Sequence, residues 1–174
     1  MPQFAGAVKL ATILFVLLIA IPAGAVGESA GAASGLPVPR YVSLKADKVN
    51  VRGGPSRDHE VTWVFTRVGI PVEITAESEN WRRIRDAEGA EGWVFHSLLS
   101  GRRTALVSPT SKTEAFPLYE RPGGGGRVIA QLQARVLATV RRCDGKWCRV
   151  FGEGFDGFIE QHLLWGVYPD EVIE

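Results

Sequence analysis

Residues 72–95 read VEITAESENWRRIRDAEGAEGWVF, and the fold class turns on this stretch. Apolar side chains recur in short runs broken by polar ones, and helix-period stretches with caps are scarce. Val72, Ile74, Trp81 and Ile84 are expected to face one side, with polar residues between them. The stretch from Ala87 to Ala90, with Gly89 inside it, supplies a turn before Gly92-Trp93-Val94. Working outward, strands are predicted at 49–51, 61–66, 71–75, 80–85 and 91–95, with a short end at 98–99. Strands this short, at this spacing, indicate a small all-β barrel or sandwich.

The second half of the chain repeats the order. Trp81-Arg82-Arg83-Ile84 is echoed by Trp147-Cys148-Arg149-Val150, and Gly92-Trp93-Val94 by Gly157-Phe158-Ile159. Leu98-Leu99 is echoed by Leu163-Leu164, so these blocks lie 65 or 66 residues apart. Upstream, the turn of VRGGPS (51–56) corresponds to YERPGG (119–124), with Pro55 67 residues before Pro122. A nearly fixed offset across four blocks indicates an internal duplication. Two modules follow, 41–101 and a divergent 113–168, joined by a linker at 102–112. An acidic tail, 169–174, closes the chain.

Composition sets the frame. The 174 residues are 45% hydrophobic and 22% charged, with 20 glycines and 10 prolines, as in a turn-rich globular chain. Net charge is +1. The basic clusters are single pairs such as Arg82-Arg83 and Arg141-Arg142, so the electrostatic footprint of a nucleic-acid binder is missing. At the start, Lys9 precedes the apolar run LATILFVLLIAI (10–21), then Pro22 and Ala23-Gly24-Ala25. That order makes 1–25 a signal peptide, with export to the periplasm or outside and no stable membrane span after cleavage. Retention as an anchor is the alternative, although the run is short for a span. Residues 26–40 are small and Gly- and Ala-rich, and are expected to form a flexible tether.

Both cysteines, Cys143 and Cys148, flank Asp144-Gly145, a turn signal. In an oxidising compartment they are expected to form a disulfide at a hairpin tip. Free buried thiols, or redox or metal chemistry, are the alternatives, the last two weakened by the C-x4-C spacing.

At this point a family resemblance enters. Val49-Asn50-Val51-Arg52-Gly53-Gly54-Pro55-Ser56 resembles the L-N-V-R-x-G-P-S opening of bacterial SH3-like domains. Trp81 and Gly92-Trp93-Val94 sit where that family places its later strands. Module two departs from the pattern, with Phe116-Pro117-Leu118 in the opening and Phe158 in place of the tryptophan. The resemblance implies two SH3-like β-barrels in tandem, with Asn50, Arg52, Gly54 and Pro55 as motif positions. It further implies an aromatic-lined groove for peptides or cell-wall stems, with Trp63, Phe65, Trp81 and Trp93 as candidates for its wall.

Catalysis has little to build on. A hydrolase needs a nucleophile or metal, a base and a group that orients the base. His59 lies in a polar loop, His96 stands opposite Gln161 in the repeat, and His162 opposite Ser97. An enzyme would require His96 or His162 beside a carboxylate in a concave pocket. The run Gly123 to Gly126 lacks the Lys-Ser/Thr of a phosphate loop. No metal ligand set and no cofactor are expected. The expected function is non-catalytic binding of peptide or peptidoglycan stem in the cell envelope. The alternative is a structural or regulatory docking domain for another envelope protein.

Overall fold

The computed structural model describes residues 1–2, 29–31, 33–111 and 114–174. The expected signal peptide therefore lies outside the described residues, apart from its first two. An N-terminal ribbon pairs β1 (Ser29–Ala30) with β2 (Pro37–Val38). Module one holds β3 (Arg40–Leu44), β4 (Val49–Arg52), β5 (Val61–Phe65), β6 (Pro71–Ser78), β7 (Trp81–Arg85), β8 (Glu91–Phe95) and β9 (Leu99–Ser100). Module two holds β10 (Thr104–Val107), β11 (Ala115–Tyr119), β12 (Val128–Gln133), β13 (Leu137–Asp144), β14 (Trp147–Gly152), β15 (Phe155–Glu160) and β16 (Leu164–Trp165). A last strand, β17 (Val172–Ile173), pairs with β13.

The two sheets have one topology. Their orders are β5-β4-β8-β7-β6-β3-β9 and β12-β11-β15-β14-β13-β10-β16, the same path strand for strand. Even the irregularities repeat: register shifts fall at Ile74/Ala76 and Val140/Arg142, and at Val51/Arg52 and Leu118/Tyr119. Bulges bend and twist a strand, so matched bulges give the two sheets matched curvature. A 3-10 turn precedes the last barrel strand in each, at His96–Leu98 and Gln161–Leu163.

Each module encloses its own core. Val42, Leu44, Val49, Val51, Val72, Ile74, Ile84 and Val94 fill the first. Ala105, Val107, Leu118, Ala138, Val140, Val150 and Ile159 fill matching places in the second. Gly92 and Gly157 explain one repeated block physically. A Cβ on Gly92 would lie 2.5 Å from Val51 Cγ1, and one on Gly157 would lie 2.8 Å from Leu118 Cγ and Tyr119 O. Both positions sit where β8 meets β4, or β15 meets β11, and only glycine admits that approach.

Two expectations need correction, on Trp81 and on the tether, and two segments prove to carry strands. Trp81 is buried, but it lies outside the cluster around Ile84, because residues three apart on a strand point to opposite faces. It pairs instead with Phe95 across β7 and β8. The linker is no plain connector, since Thr104–Val107 is the first strand of module two, paired with β13 and β16. The tether is folded over its described part. Glu77 accepts hydrogen bonds from the amides of Ala33 and Ser34, at 3.1 and 2.8 Å, from Ser34 Oγ at 2.7 Å and from Arg40 Nη2 at 2.6 Å. Four donors on one carboxylate offset the entropy of ordering a small-residue segment. The acidic tail contains the two-residue strand β17, and Glu171 takes a bidentate pair from Arg103 at 2.7 and 2.9 Å.

The modules are clamped to each other. Glu73, buried on β6, accepts from Arg85 Nε at 2.9 Å and from the hydroxyl of Tyr168 at 2.9 Å, which joins module one to the segment after β16. Burial, then the adjacent Glu73 carboxylate, pushes the Tyr168 phenol far above its ordinary pKa, so it stays a donor. Tyr41 packs on Tyr168 and on Trp165, at ring separations of 4.6 and 5.2 Å. Thr104 Oγ1 donates to Gly69 O at 2.7 Å. Gly166, at φ +122°, fits against the Thr104 carbonyl, where a Cβ would come within 2.2 Å.

Candidate functional site

The residues that carry the opening motif also build a groove. Alternation along β4 buries Val49 and Val51 and turns Asn50 and Arg52 outward. Across β7 and β8, Trp81 and Phe95 meet edge to face at 5.4 Å. Together with Arg57, Ser97 and Leu98, these residues line a groove of about 390 Å³. Arg52 Nη1 donates to His59 O at 2.6 Å, which ties down the loop carrying Arg57. Arg57 itself lies 5.9 Å from the Phe95 ring centroid, a cation–π contact. Gly54 is buried beneath the His59 ring, and Pro55 is exposed at the loop's start. The groove thus offers two aromatic rings, two guanidinium groups and no carboxylate.

The four aromatics named from sequence do not share one wall. Trp81 is in the groove. Trp63 and Phe65, on the edge strand β5, meet at 6.2 Å and line a separate cavity of about 380 Å³. Leu106, Pro109 and Arg135 of the second half complete that cavity, and a Glu88–Arg135 ion pair spans it. Trp93 is half-buried and stands in register between Arg52 and Arg83. Arg57, Phe95, Ser97 and Leu98 escaped the sequence reading. Phe95 was open to discovery, because pairing Ile84 with Gly92 in the predicted hairpin brings it opposite Trp81.

Module two also has an edge-to-face pair, Tyr119 and Trp147 at 5.5 Å, while Glu160 stands opposite Trp147 where module one has Phe95 opposite Trp81. The module-two hairpin holds the Cys143–Cys148 disulfide, with the two residues directly paired and their Cα atoms 4.1 Å apart. Asp144 Oδ1 accepts from the amides of Lys146 and Trp147, at 2.9 and 2.8 Å, and those bonds hold its carboxyl below the usual range. At the same register position module one has Glu77 opposite Arg82, with Arg82 Nε 3.2 Å from Glu77 Oε1. An ion pair in one copy thus stands where the other has a disulfide.

The histidines are dispersed. His96 packs on Phe95 at 5.0 Å. His162 Nδ1 lies 3.3 Å from Glu160 Oε2 in a larger cleft between the modules, so the carboxylate partner that catalysis would need is present there. No serine, threonine or cysteine lines that cleft, and both members of the pair are exposed. Among the described residues no group of three metal-ligating side chains gathers.

The family model of the bacterial SH3 domain matches residues 45–101 and 112–166, well over half of the chain. Solved structures of NlpC2 and NlpC1 from Trichomonas vaginalis resemble it at 15% and 16% identity, each with a TM-score of 0.33. They cover 74% and 77% of this chain, which spans only 48% of each of theirs. Likeness of this degree carries no argument about activity. No curated protein matches. The family match, falling on both copies of the duplicated barrel, shows that the chain belongs to the bacterial SH3 domain family.

Proposed function

We propose that this protein is a non-catalytic binding module of the cell envelope, which seats a carboxylate-bearing peptide, such as a peptidoglycan stem, in the module-one groove. Bacterial SH3 domains bind cell-wall components, and this is the context of the proposal. The observation that carries it is the groove's chemistry. Arg52 and Arg57 face no acidic group in its lining, while Phe95 and the small exposed part of Trp81 supply apolar surface. Such a site selects an anionic ligand with apolar side chains. The disulfide is consistent with export, and among the described residues no helix is long and apolar enough to cross a membrane.

A short peptide with two free carboxylates, titrated into the isotope-labelled full chain, tests this reading. The Trp81 indole signal should shift saturably, and the amidated, uncharged peptide should bind about tenfold more weakly. Equal binding of both peptides, or shifts confined to module two, would refute it. A second reading, docking of another envelope protein, draws on the edge strands. Val61 and Val64 on β5, and Val128 and Ile129 on β12, are exposed beside unpaired backbone. A protein partner there would perturb β5 and leave Trp81 unmoved.

A further inference from the structure

We infer that the cleft between the modules is a second binding site, and that it takes an uncharged sugar of a glycan chain. The cleft measures about 700 Å³, larger than the module-one groove. Its walls include three aromatic side chains from three strands: Tyr41 on β3, Trp147 on β14 and Trp165 on β16. Flat ring faces of this kind suit the C–H faces of a pyranose.

Charge separates this site from the groove. Lys146 lies with the carboxylates Glu160 and Asp170, and the imidazole of His162 sits against Glu160. Carboxylates beside a single lysine leave no cationic field to select an anion. The lining does offer several donors and acceptors at once, the requirement of a polyhydroxylated neutral ligand. Two buried polar atoms on the lining residues lack a protein partner: the indole N–H of Trp165, a donor, and Gln161 Oε1, an acceptor. Both atoms lie beneath the wall's surface, so sugar hydroxyls in the cleft would meet the exposed Lys146, His162 and Asp170 instead.

The walls are held in place before any ligand arrives. The disulfide fixes the hairpin that carries Lys146 and Trp147. Gln161 Nε2 donates to the carbonyls of Tyr168 and Glu171, at 2.7 and 2.9 Å. Tyr41 is gripped between Trp165 and Tyr168. Rigid walls lower the ordering cost of binding. The site requires the clamped arrangement, because Tyr41 comes from module one and the other walls from module two.

The test titrates the isotope-labelled full chain with chitotriose, an uncharged N-acetylglucosamine trimer, and follows the five indole N–H signals. Trp147 and Trp165 should shift saturably while Trp81 stays put. Trp147→Ala should weaken binding about tenfold, and His162→Ala, at an exposed position, about threefold with the fold intact. Unmoved Trp147 and Trp165 signals would overturn the inference. So would shifts there produced by the dicarboxylate peptide and not by the sugar, since the cleft would then be a peptide site. Failure here leaves the Trp81 readout of the peptide groove untouched, so the two proposals fall separately.

Discussion

Glu77 shows how much one side chain organises. It holds the N-terminal ribbon through Ala33, Ser34 and Arg40, and it faces Arg82 across the β6–β7 hairpin. Burial alone would raise its pKa, but hydrogen bonds from Ser34 and Arg40 and the Arg82 charge lower it from 4.5 to about 2. The sign of the pH dependence follows. A carboxylate whose pKa is depressed by folding contributes its full stabilisation above the ordinary value, and that contribution drains away as pH falls from 4.5 toward 2. Urea midpoints should therefore place the native chain above Glu77→Gln at neutral pH, with the gap closing as the medium approaches pH 2. A gap that persisted at low pH would show that the ribbon is held by something other than this ionised carboxylate. The same segment shows why sequence failed here: small residues such as Ala33 and Ser34 look unfoldable until a distant carboxylate collects their amides.

At the scale of elements, the hairpins carry the comparison between the two copies. Trp81 aligns with Trp147, and the same offset sets Glu77 and Arg82 opposite Cys143 and Cys148. The disulfide closes a loop with a sequence separation of only 5, so chain-entropy reasoning assigns it about 2 kcal/mol. Denaturant unfolding of Cys143→Ala/Cys148→Ala should show a loss of that size, with strand pairing retained because β14 stays bonded to β13 and β15. A complete loss of folded structure would mean that the bridge, and not the sheet, holds module two. Both hairpins were legible from turn residues and alternation, as Asp144-Gly145 and the 71–95 strands demonstrate. The strands β3 and β10 were not. Each depends on partners distant in sequence, Arg40 on Ile74 and Thr104 on Thr139, and neither carries a local turn signal. The groove suffered similarly: Asn50 and Arg52 read as motif positions, and their meeting with Trp81 and Phe95 depends on the tertiary closure of the barrel.

For the whole molecule, the decisive feature is the clamp between the modules. Tyr168, from the segment that read as the edge of an acidic tail, reaches Glu73 in module one, and Glu171 fastens that segment to Arg103. Tyr168→Phe should lower stability by about 1 kcal/mol, the net value of one hydrogen bond, and should broaden the distribution of inter-module distances seen by X-ray scattering. An unchanged scattering profile together with unchanged stability would show that ring packing alone fixes the orientation. A rigid pair of barrels presents the peptide groove and the inter-module cleft at a fixed separation, the condition for two contacts on one polymer to reinforce each other. The proposed role requires this pair to bind the cell wall through the module-one groove. The most direct measurement is co-sedimentation of the full chain with isolated peptidoglycan sacculi over a range of salt concentrations. Retention should survive moderate salt and should be lost in Arg57→Ala/Phe95→Ala. A chain that stays in the supernatant at every salt concentration, or a double variant that pellets as well as the native chain, would contradict that role.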